Sequence, residues 1–155
     1  MSDEATPAPT LHLIKLSVGT DSVEGLTDWQ ADRSAARKAD GLDPRPRHVT
    51  RMWPRRAEEL LQGGSIYWVI NGAVQARQRI DTLQEAIGED GIRRCAIILV
   101  PGLIRTRQRP RRPFQGWRYL AAADAPPDLG PREVEDQLLP DELRDALTRF
   151  GVLGR

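Results

Sequence analysis

The stretch "SIYWVINGAVQARQRI", residues 65–80, predicts a β-hairpin. Two β-prone runs flank Asn71-Gly72, and this pair is preferred in a two-residue type I′ turn because both residues tolerate positive φ. The turn sets the pairing of the strands, which is predicted to run Ile70 with Ala73, Val69 with Val74, Trp68 with Gln75, Tyr67 with Ala76, and Ile66 with Arg77.

Strict alternation along this hairpin predicts two faces of different chemistry. The apolar face, expected to cover the core, carries Tyr67, Val69, Val74, Ala76 and Ile80. The other face carries Ile66, Trp68, Ile70, Gln75, Arg77 and Arg79. An arginine beside a tryptophan can stack on it and hold a nucleobase between flat surfaces. The alternative is a sheet buried on both faces, with the arginine heads reaching solvent at the rim.

Upstream of the hairpin, the pattern predicts a strand followed by a long helix. "LHLIKLSV" (11–18) is apolar and β-prone, and residues 21–41 carry helix signals at both ends, with Ser22 as the cap and Gly41 as the stop. One helical stripe holds Val23, Leu26 and Trp29, so Trp29 is predicted to lie in the core.

A second strand and a short helix are predicted between that long helix and the hairpin. The prolines of the segment 42–47 indicate a loop. "HVTRMW" (48–53) then alternates as a strand does. Pro54 suits the first residue of a helix that Gly63 ends.

Downstream of the hairpin, "IRRCAIILV" (92–100) predicts a central strand, because its second half is continuously apolar. "LIRTRQR" (103–109) predicts another strand after a Pro101-Gly102 turn, and "PDELRDALTRFG" (140–151) predicts an amphipathic helix. The order of elements favours an α+β domain: a small antiparallel β-barrel or a strongly curved sheet with flanking helices.

Composition limits the class of protein. The chain has 155 residues, a formal net charge of +1 and one cysteine, Cys95, so a disulfide framework is excluded and Cys95 is expected in the core. No apolar run approaches the roughly 20 residues of a membrane span. "MSDEATPAPT" at the start resembles neither a signal nor a transit peptide. We therefore expect a cytoplasmic single domain, 11–155, behind a disordered tail, 1–10.

Positive charge is concentrated in the middle of the chain. Residues 45–118 hold 15 arginines against six carboxylates, whereas both flanking segments are acidic. Within this region, "RTRQRPRRPFQGWRY" (105–119) has six arginines, no carboxylate and three aromatic residues. Segregation of this kind is typical of a directed electrostatic surface.

An extended 103–109 segment would project Arg105, Arg107 and Arg109 from one face, spaced roughly 6.6 to 7 Å apart. Phosphates of a nucleic-acid strand repeat on a comparable scale, and flat side chains such as Phe114 suit unpaired bases. The alternative is a solvated loop whose arginines pair with the acidic ends of the protein itself.

The predicted binding residues fall into four groups. Those expected to hold phosphates are Arg105, Arg107, Arg109, Arg111 and Arg112. Those expected to stack on bases are Trp53, Trp68, Phe114 and Trp117. Those expected to read base edges are Arg51, Gln75 and Gln115. The remaining residues of the surface are Arg55, Arg56, Arg77, Arg79 and Arg118.

Few residues suit catalysis. The only histidines are His12 and His48, and no cluster has the spacing of metal ligands, so we expect no metal and no cofactor. One enzymatic alternative is His48 as a general base beside Arg51, Arg55 and Arg56, with Glu58 as its partner, for phosphodiester cleavage or nucleoside processing.

Four stretches resemble one family along nearly the whole chain, from about 11 to 150. They are "LHLIKLSVG", "HVTRMWPRRAEELLQGGSIYWVINGAVQARQRI", "GIRRCAIILVPGLIRT" and "RPRRPFQGWRYL". The family is an alphaproteobacterial domain of unknown function, number 1489, so the resemblance implies no activity.

A looser likeness concerns the order of elements. "TRMWPRRAEELLQGGSIYWVINGAVQARQRI" looks like the opening of small PUA-like barrels, including the ASCH and EVE domains, which are associated with RNA or modified nucleobases. In such domains the positions of Arg51 and Trp53 often line a ligand cleft. The ASCH Gly-Lys and Glu-x-Arg signature is absent.

These observations together favour a non-enzymatic domain that binds RNA or single-stranded or modified-base nucleic acid, with no membrane partner. The enzyme centred on His48 is one alternative. The other is an interaction module whose basic face docks an acidic protein, or the acidic ends of a second copy in a homodimer.

Overall fold

In the computed structural model, residues 8–138 are described. They contain seven strands: β1 (Leu11–Leu16), β2 (Arg47–Thr50), β3 (Ser65–Ile70), β4 (Ala73–Ile87), β5 (Arg93–Leu99), β6 (Ile104–Pro110) and β7 (Trp117–Ala121). The same residues contain three α-helices: α1 (Val23–Ala39), α2 (Ala57–Leu60) and α3 (Pro131–Leu138), with one 3₁₀ turn over Ala122–Asp124. No helix within 8–138 is long and apolar enough to cross a membrane.

The seven strands form one mixed sheet. Its order is β2-β5-β4-β3-β1-β7, and β6 pairs with the first half of β4. β1 runs parallel to β3, whereas the other pairs are antiparallel. The α+β class is confirmed. The closed antiparallel barrel is wrong for the described residues, because β2 and β7 lie at the two edges of the sheet and do not pair with each other. In addition, the crossover through α1 makes β1 and β3 parallel.

The hairpin is confirmed, but its register is only partly right. Ile70 pairs with Ala73 and Val69 with Val74, as predicted. The register then shifts by one residue, so that Trp68 pairs with Ala76. Gln75 is the extra residue, and its Nε2 donates a hydrogen bond to the Ile70 carbonyl (2.7 Å). A β-bulge of this kind moves every following side chain to the opposite face.

The bulge explains the composition of the two apolar clusters. The main core lies between the sheet and α1 and consists of Leu13, Val23, Leu26, Leu60, Ile66, Trp68, Ile70, Ala76, Ile80, Cys95, Ile97, Leu99 and Trp117. The second cluster consists of Ile14, Tyr67, Val69 and Val74, with Leu16, Phe114, Leu120 and Ala125 packed against it. β3 is therefore buried on both faces, which confirms the alternative reading of this strand.

Two predicted elements have the expected ends and neighbours. Ser22 caps α1, since its Oγ accepts a hydrogen bond from the Gly25 backbone N–H (2.9 Å). β5 is a central strand with β2 and β4 on either side. Cys95 lies fully buried in it, and burial raises the pKa of the Cys95 thiol to about 11. This thiol is unreactive at neutral pH.

Other boundaries differ from the prediction. The strand predicted over 48–53 ends at Thr50, and the helix predicted from Pro54 to Gly63 is only the four residues of α2. β7 and α3 were not predicted. The helix predicted at 140–151 lies outside the described residues.

Replacing Gly72 with alanine is expected to lower the free energy of unfolding by about 1 kcal/mol, because a Cβ is strained at positive φ. Gly72 has φ of 83° and Asn71 has φ of 51°. Urea unfolding measures the change. Gly72→Asn is the control and should cost less, since asparagine tolerates this conformation better. Equal stability of Gly72→Ala and the parent chain would contradict the turn.

Candidate nucleic-acid interface

The three arginines of β6 do not form one row. Residues that pair across strands share a face of the sheet. Arg105 pairs with Ala76 of the main core, whereas Arg109 pairs with Val74 of the second cluster, because the register shifts between them. The predicted single face of Arg105, Arg107 and Arg109 is therefore wrong.

Two of these arginines are bound to the protein's own carboxylates. Arg105 pairs with Glu24 in the first turn of α1. Arg107 Nε lies 3.6 Å from Glu133 of α3. Arg109 differs, since its Nη1 donates to the backbone carbonyl of Asp124. The alternative of arginines paired with the protein's own carboxylates thus applies to Arg105 and Arg107, in the first part of the stretch.

The second part of the stretch forms a cationic surface around one ring, here called the Phe114 patch: Arg109, Arg111, Arg112, Phe114, Gln115 and Arg118. The Cζ atoms of Arg111 and Arg118 lie 5.0 and 5.4 Å from the Phe114 ring centroid. Both distances are typical of a cation–π contact. The ring itself is half-buried against the second cluster.

Backbone contacts hold the patch in place. The N–H of Arg111 donates to the Gly72 carbonyl (2.9 Å), which ties the loop after β6 to the hairpin turn. Nη1 of Arg118 donates to the carbonyls of Gln115 (2.7 Å) and Trp117 (3.2 Å). The arginines are consequently presented by a loop fixed at both ends.

The patch is distinguished by its unbalanced charge. Among residues 8–134, no carboxylate pairs with Arg109, Arg111, Arg112 or Arg118, and all four are exposed. Most other arginines of the predicted basic region do have carboxylate partners: Arg45, Arg47, Arg56, Arg77, Arg93, Arg94, Arg105 and Arg107. Positive charge available to a partner is therefore concentrated at this loop.

Two predicted stacking residues are enclosed in the protein. Trp68 is 5% exposed, and its Nε1 donates to Gln78 Oε1 (3.3 Å). Trp117 is 6% exposed, and its Nε1 donates to the Met52 carbonyl (3.1 Å). Neither ring offers a face to a base. The prediction failed because the bulge and the unrecognised β7 place both rings in the main core.

Trp53 also packs on the main core, away from the patch. Its ring is half-buried and is covered by the guanidinium of Arg93, 4.4 Å from the ring centroid. The neighbouring Arg51 and Arg55 are exposed. Arg56 pairs with Glu59, and its backbone N–H donates to the Tyr119 hydroxyl (3.0 Å).

Three predicted residues of β4 have other surroundings. Gln75 lies in the bulge, where its amide already binds a backbone carbonyl. Arg77 pairs with Asp128 at 2.7 Å, and Arg79 is exposed beside it along a cleft. Neither arginine shares a face with Trp68, so the predicted arginine–tryptophan stack is absent from the described hairpin.

Trp29 does not lie in the core, contrary to the prediction from its position in the helical stripe. Trp29 is 50% exposed, and the Cζ of Arg33 lies 5.3 Å from its ring centroid. Gln30 takes the buried position on α1 instead. Both positions suit the helical spacing from Val23 and Leu26, and apolar character alone favoured the tryptophan. Of the basic residues near Trp29, Arg45 is bound by Asp43 and Asp81 and Arg47 by Asp43, whereas Arg33 has no carboxylate partner among residues 8–134.

His48 does not have the surroundings of a general base. Its ring contacts Trp68 edge-on, with 6.1 Å between centroids, and its imidazole has no hydrogen-bond partner among residues 8–134. Burial, with a smaller effect of Lys15, lowers the pKa of His48 to about 4. A base with that pKa is weak near pH 7. No contact in the described chain joins His48 to Glu58, and those residues contain no cluster that could hold a metal.

The histidines predict how stability depends on pH. Burial also lowers the pKa of His12, so both histidines bind protons more weakly in the folded chain than in the unfolded chain. The two neutral histidines therefore make their full contribution to the free energy of unfolding above their unfolded pKa of about 6.5, and this contribution is lost as the pH decreases towards 4. For His48 the loss is expected to be about 2 kcal/mol between pH 7 and pH 4.5.

Urea unfolding at several pH values tests this dependence. His48→Gln removes one titrating group and should flatten the profile between pH 6.5 and 4.5. An unchanged slope in the variant would contradict the shifted pKa of His48.

Comparison with known proteins identifies a family but no characterised relative. A family model described as "Protein of unknown function (DUF1489)" matches residues 13–153. No curated protein and no solved structure matches the chain significantly.

Proposed function

The chain belongs to the DUF1489 family, and we propose that it binds single-stranded nucleic acid, RNA in the first place, through the Phe114 patch. The observation that supports the proposal most is the group of arginines around Phe114 that have no carboxylate partner among residues 8–134. Such cations bind phosphates and release counterions, which gives a strong contribution to affinity at low salt.

The aromatic ring and its neighbours favour unpaired strands over a duplex. Guanidinium groups that lie on a ring are themselves flat, and bases can stack on such planes. Gln115 is exposed beside them and offers an amide to base edges. Because base faces and edges are accessible in single strands, this set of groups suits them better than a paired helix.

Three finer expectations accompany this proposal. The first is a PUA-like arrangement, supported by the succession of β2, α2, β3, turn and β4 along the chain. The others are a cytoplasmic location and an alphaproteobacterial origin of the family. RNA is placed first because the PUA-like resemblance concerns domains associated with RNA or modified bases.

Docking of an acidic protein is the second candidate function. It is favoured by one observation: Arg105 and Arg107 already bind carboxylates of α1 and α3. An acidic helix from another protein or a second copy of the chain could bind the remaining arginines in the same way. An acidic partner would compete with nucleic acid for the patch.

The test uses protein purified at high salt after nuclease treatment. Fluorescent single-stranded RNA, single-stranded DNA and duplex are titrated at two salt concentrations. We expect tighter binding of single strands and a steep loss of affinity at higher salt. Absence of binding to all three, or binding that ignores salt, would contradict the proposal and turn attention to acidic proteins.

A further inference from the structure

A cleft of about 780 Å³ lies beside the Phe114 patch, on the Tyr67 side of the sheet. Its walls come from His12 of β1, Tyr67 of β3, Arg77 and Arg79 of β4, the turn that follows α2, Ala122 and residues 125–128. The volume is in the range of pockets that hold small molecules.

The first polar group of the cleft is the His12 side chain. His12 is 5% exposed, and its Nδ1 accepts a hydrogen bond from the Ser65 backbone N–H (3.0 Å). The acceptor role of Nδ1 fixes the neutral tautomer, so that the proton lies on Nε2. Burial, with the charge of Arg77, lowers the pKa of His12 and keeps the ring neutral. Nε2–H has no partner within the described chain and is available as a donor.

Tyr67 supplies a second donor. The side chain is 5% exposed, and its ring packs edge-on to His12 with 5.0 Å between centroids. Its hydroxyl has no hydrogen-bond partner among residues 8–134. Two side-chain polar atoms in the described chain are both shielded from solvent and without a hydrogen-bond partner: Arg47 Nε and Trp53 Nε1. The Tyr67 hydroxyl is not among them. The hydroxyl therefore reaches solvent, and the cleft that Tyr67 lines is where a ligand would meet it.

The charges of the cleft leave one arginine available. Arg77 is held by Asp128, the only carboxylate among the described lining residues, through two hydrogen bonds of 2.7 and 2.9 Å. Arg77 also donates to Ser65 Oγ (2.9 Å). Arg79 has no carboxylate partner within the described residues and is exposed. Gln62, in the turn that follows α2, adds an amide. The available groups are thus mainly donors, with one uncompensated positive charge.

We propose that this cleft binds the phosphate of a nucleotide, with Arg79 as the cation and with His12 Nε2–H, the Tyr67 hydroxyl and the Gln62 amide as donors. A phosphomonoester offers three terminal oxygens to these donors, whereas a carboxylate offers two. Three prolines of the lining, Pro9, Pro126 and Pro127, provide apolar surface for the rest of the molecule.

Two sources can supply the phosphate: a free mononucleotide or the terminal phosphate of an oligonucleotide. The second source rests on the proposed function. The cleft and the patch adjoin, since Ala125 lines the cleft and packs in the second cluster with Phe114. Arg109 of the patch also donates a hydrogen bond to the backbone carbonyl of Asp124, which directly precedes Ala125 in the chain.

Calorimetric titration with adenosine 5′-monophosphate, adenosine and inorganic phosphate tests the site. We expect saturable binding of the monophosphate. Adenosine should bind at least about tenfold more weakly than the monophosphate, since the phosphate carries the charged contacts. Arg79→Gln and Tyr67→Phe should each weaken binding of the monophosphate. Arg55→Gln, which removes an exposed charge outside the cleft, should leave this binding unchanged. Equal binding of adenosine, no binding, or an unaffected Arg79→Gln variant would overturn the proposal.

Oligonucleotides with a 5′-phosphate, a 3′-phosphate or no terminal phosphate distinguish the two sources. If only a terminally phosphorylated strand binds more tightly and Arg79→Gln abolishes that difference, the site takes strand ends. If the chain binds the monophosphate but none of the oligonucleotides, the result would support the cleft and contradict the Phe114 patch. If the oligonucleotides bind equally well with and without a terminal phosphate and the monophosphate does not bind, the result would support the Phe114 patch and contradict the cleft.

Discussion

Replacing Arg109, Arg111 and Arg112 together with glutamine is expected to weaken binding of single-stranded RNA by about 100-fold at low salt. Each arginine that contacts a phosphate releases counterions, and for single strands each contact contributes about 0.7 to the slope of log K against log salt. The triple variant should therefore have a slope smaller by about 2. Glutamine retains hydrogen-bond donors, so the Asp124 carbonyl can keep a partner.

A matched variant separates the position of the charge from its amount. Arg33, Lys38 and Arg55 are exposed, carry the same total charge and have no carboxylate partner in the described chain. Their replacement by glutamine lowers the net charge equally, yet it should change affinity less than about threefold, since they lie outside the patch. Equal losses in both triple variants would mean that net charge alone attracts RNA, which contradicts a defined surface.

Replacing Gln78 with alanine is expected to lower the free energy of unfolding by about 4 kcal/mol, from lost hydrogen bonds and a cavity. Gln78 is fully buried between the sheet and α1. Its amide exchanges two hydrogen bonds of 2.8 Å with Gln30, accepts from Trp68 Nε1 and donates to the Val100 carbonyl (3.1 Å). Alanine leaves these groups buried without partners.

Urea unfolding measures this loss, with Gln115→Ala as the control because Gln115 is exposed and should tolerate the change. The double variant Gln30→Leu and Gln78→Leu removes both amides of the pair. It should be more stable than Gln78→Ala, because fewer polar groups remain unsatisfied and the volume is filled. A loss below about 1 kcal/mol for Gln78→Ala would contradict the role of this amide pair in fixing α1 to the sheet.

Local signals were enough to predict the elements with clear boundaries. The Asn71-Gly72 turn, the Ser22 cap of α1 and the apolar run of β5 each depend on neighbouring residues alone, and each was predicted correctly. The bulge at Gln75 was not predictable in this way, since nothing in the alternation of the strand marks one extra residue. That single residue reversed the predicted faces of Ala76 and Arg77.

The candidate site was predictable in composition and not in geometry. The arginine-rich stretch identified the residues of the Phe114 patch, but which arginines are neutralised depends on contacts distant in the chain, such as Arg105 with Glu24. The cleft was missed for the same reason. His12 was an isolated histidine in the sequence, and only the parallel pairing of β1 and β3 places it beside Tyr67.

Photo-cross-linking identifies directly which residues of the chain contact RNA. Single-stranded RNA that carries 4-thiouridine is irradiated in complex with the full chain, which is then digested at acidic residues and mapped by mass spectrometry. We expect cross-links within residues 109–118, centred on Phe114, and their loss in the triple arginine variant. Cross-links confined to α1 around Trp29, or to residues 51–56, would contradict the assignment of the Phe114 patch as the nucleic-acid surface.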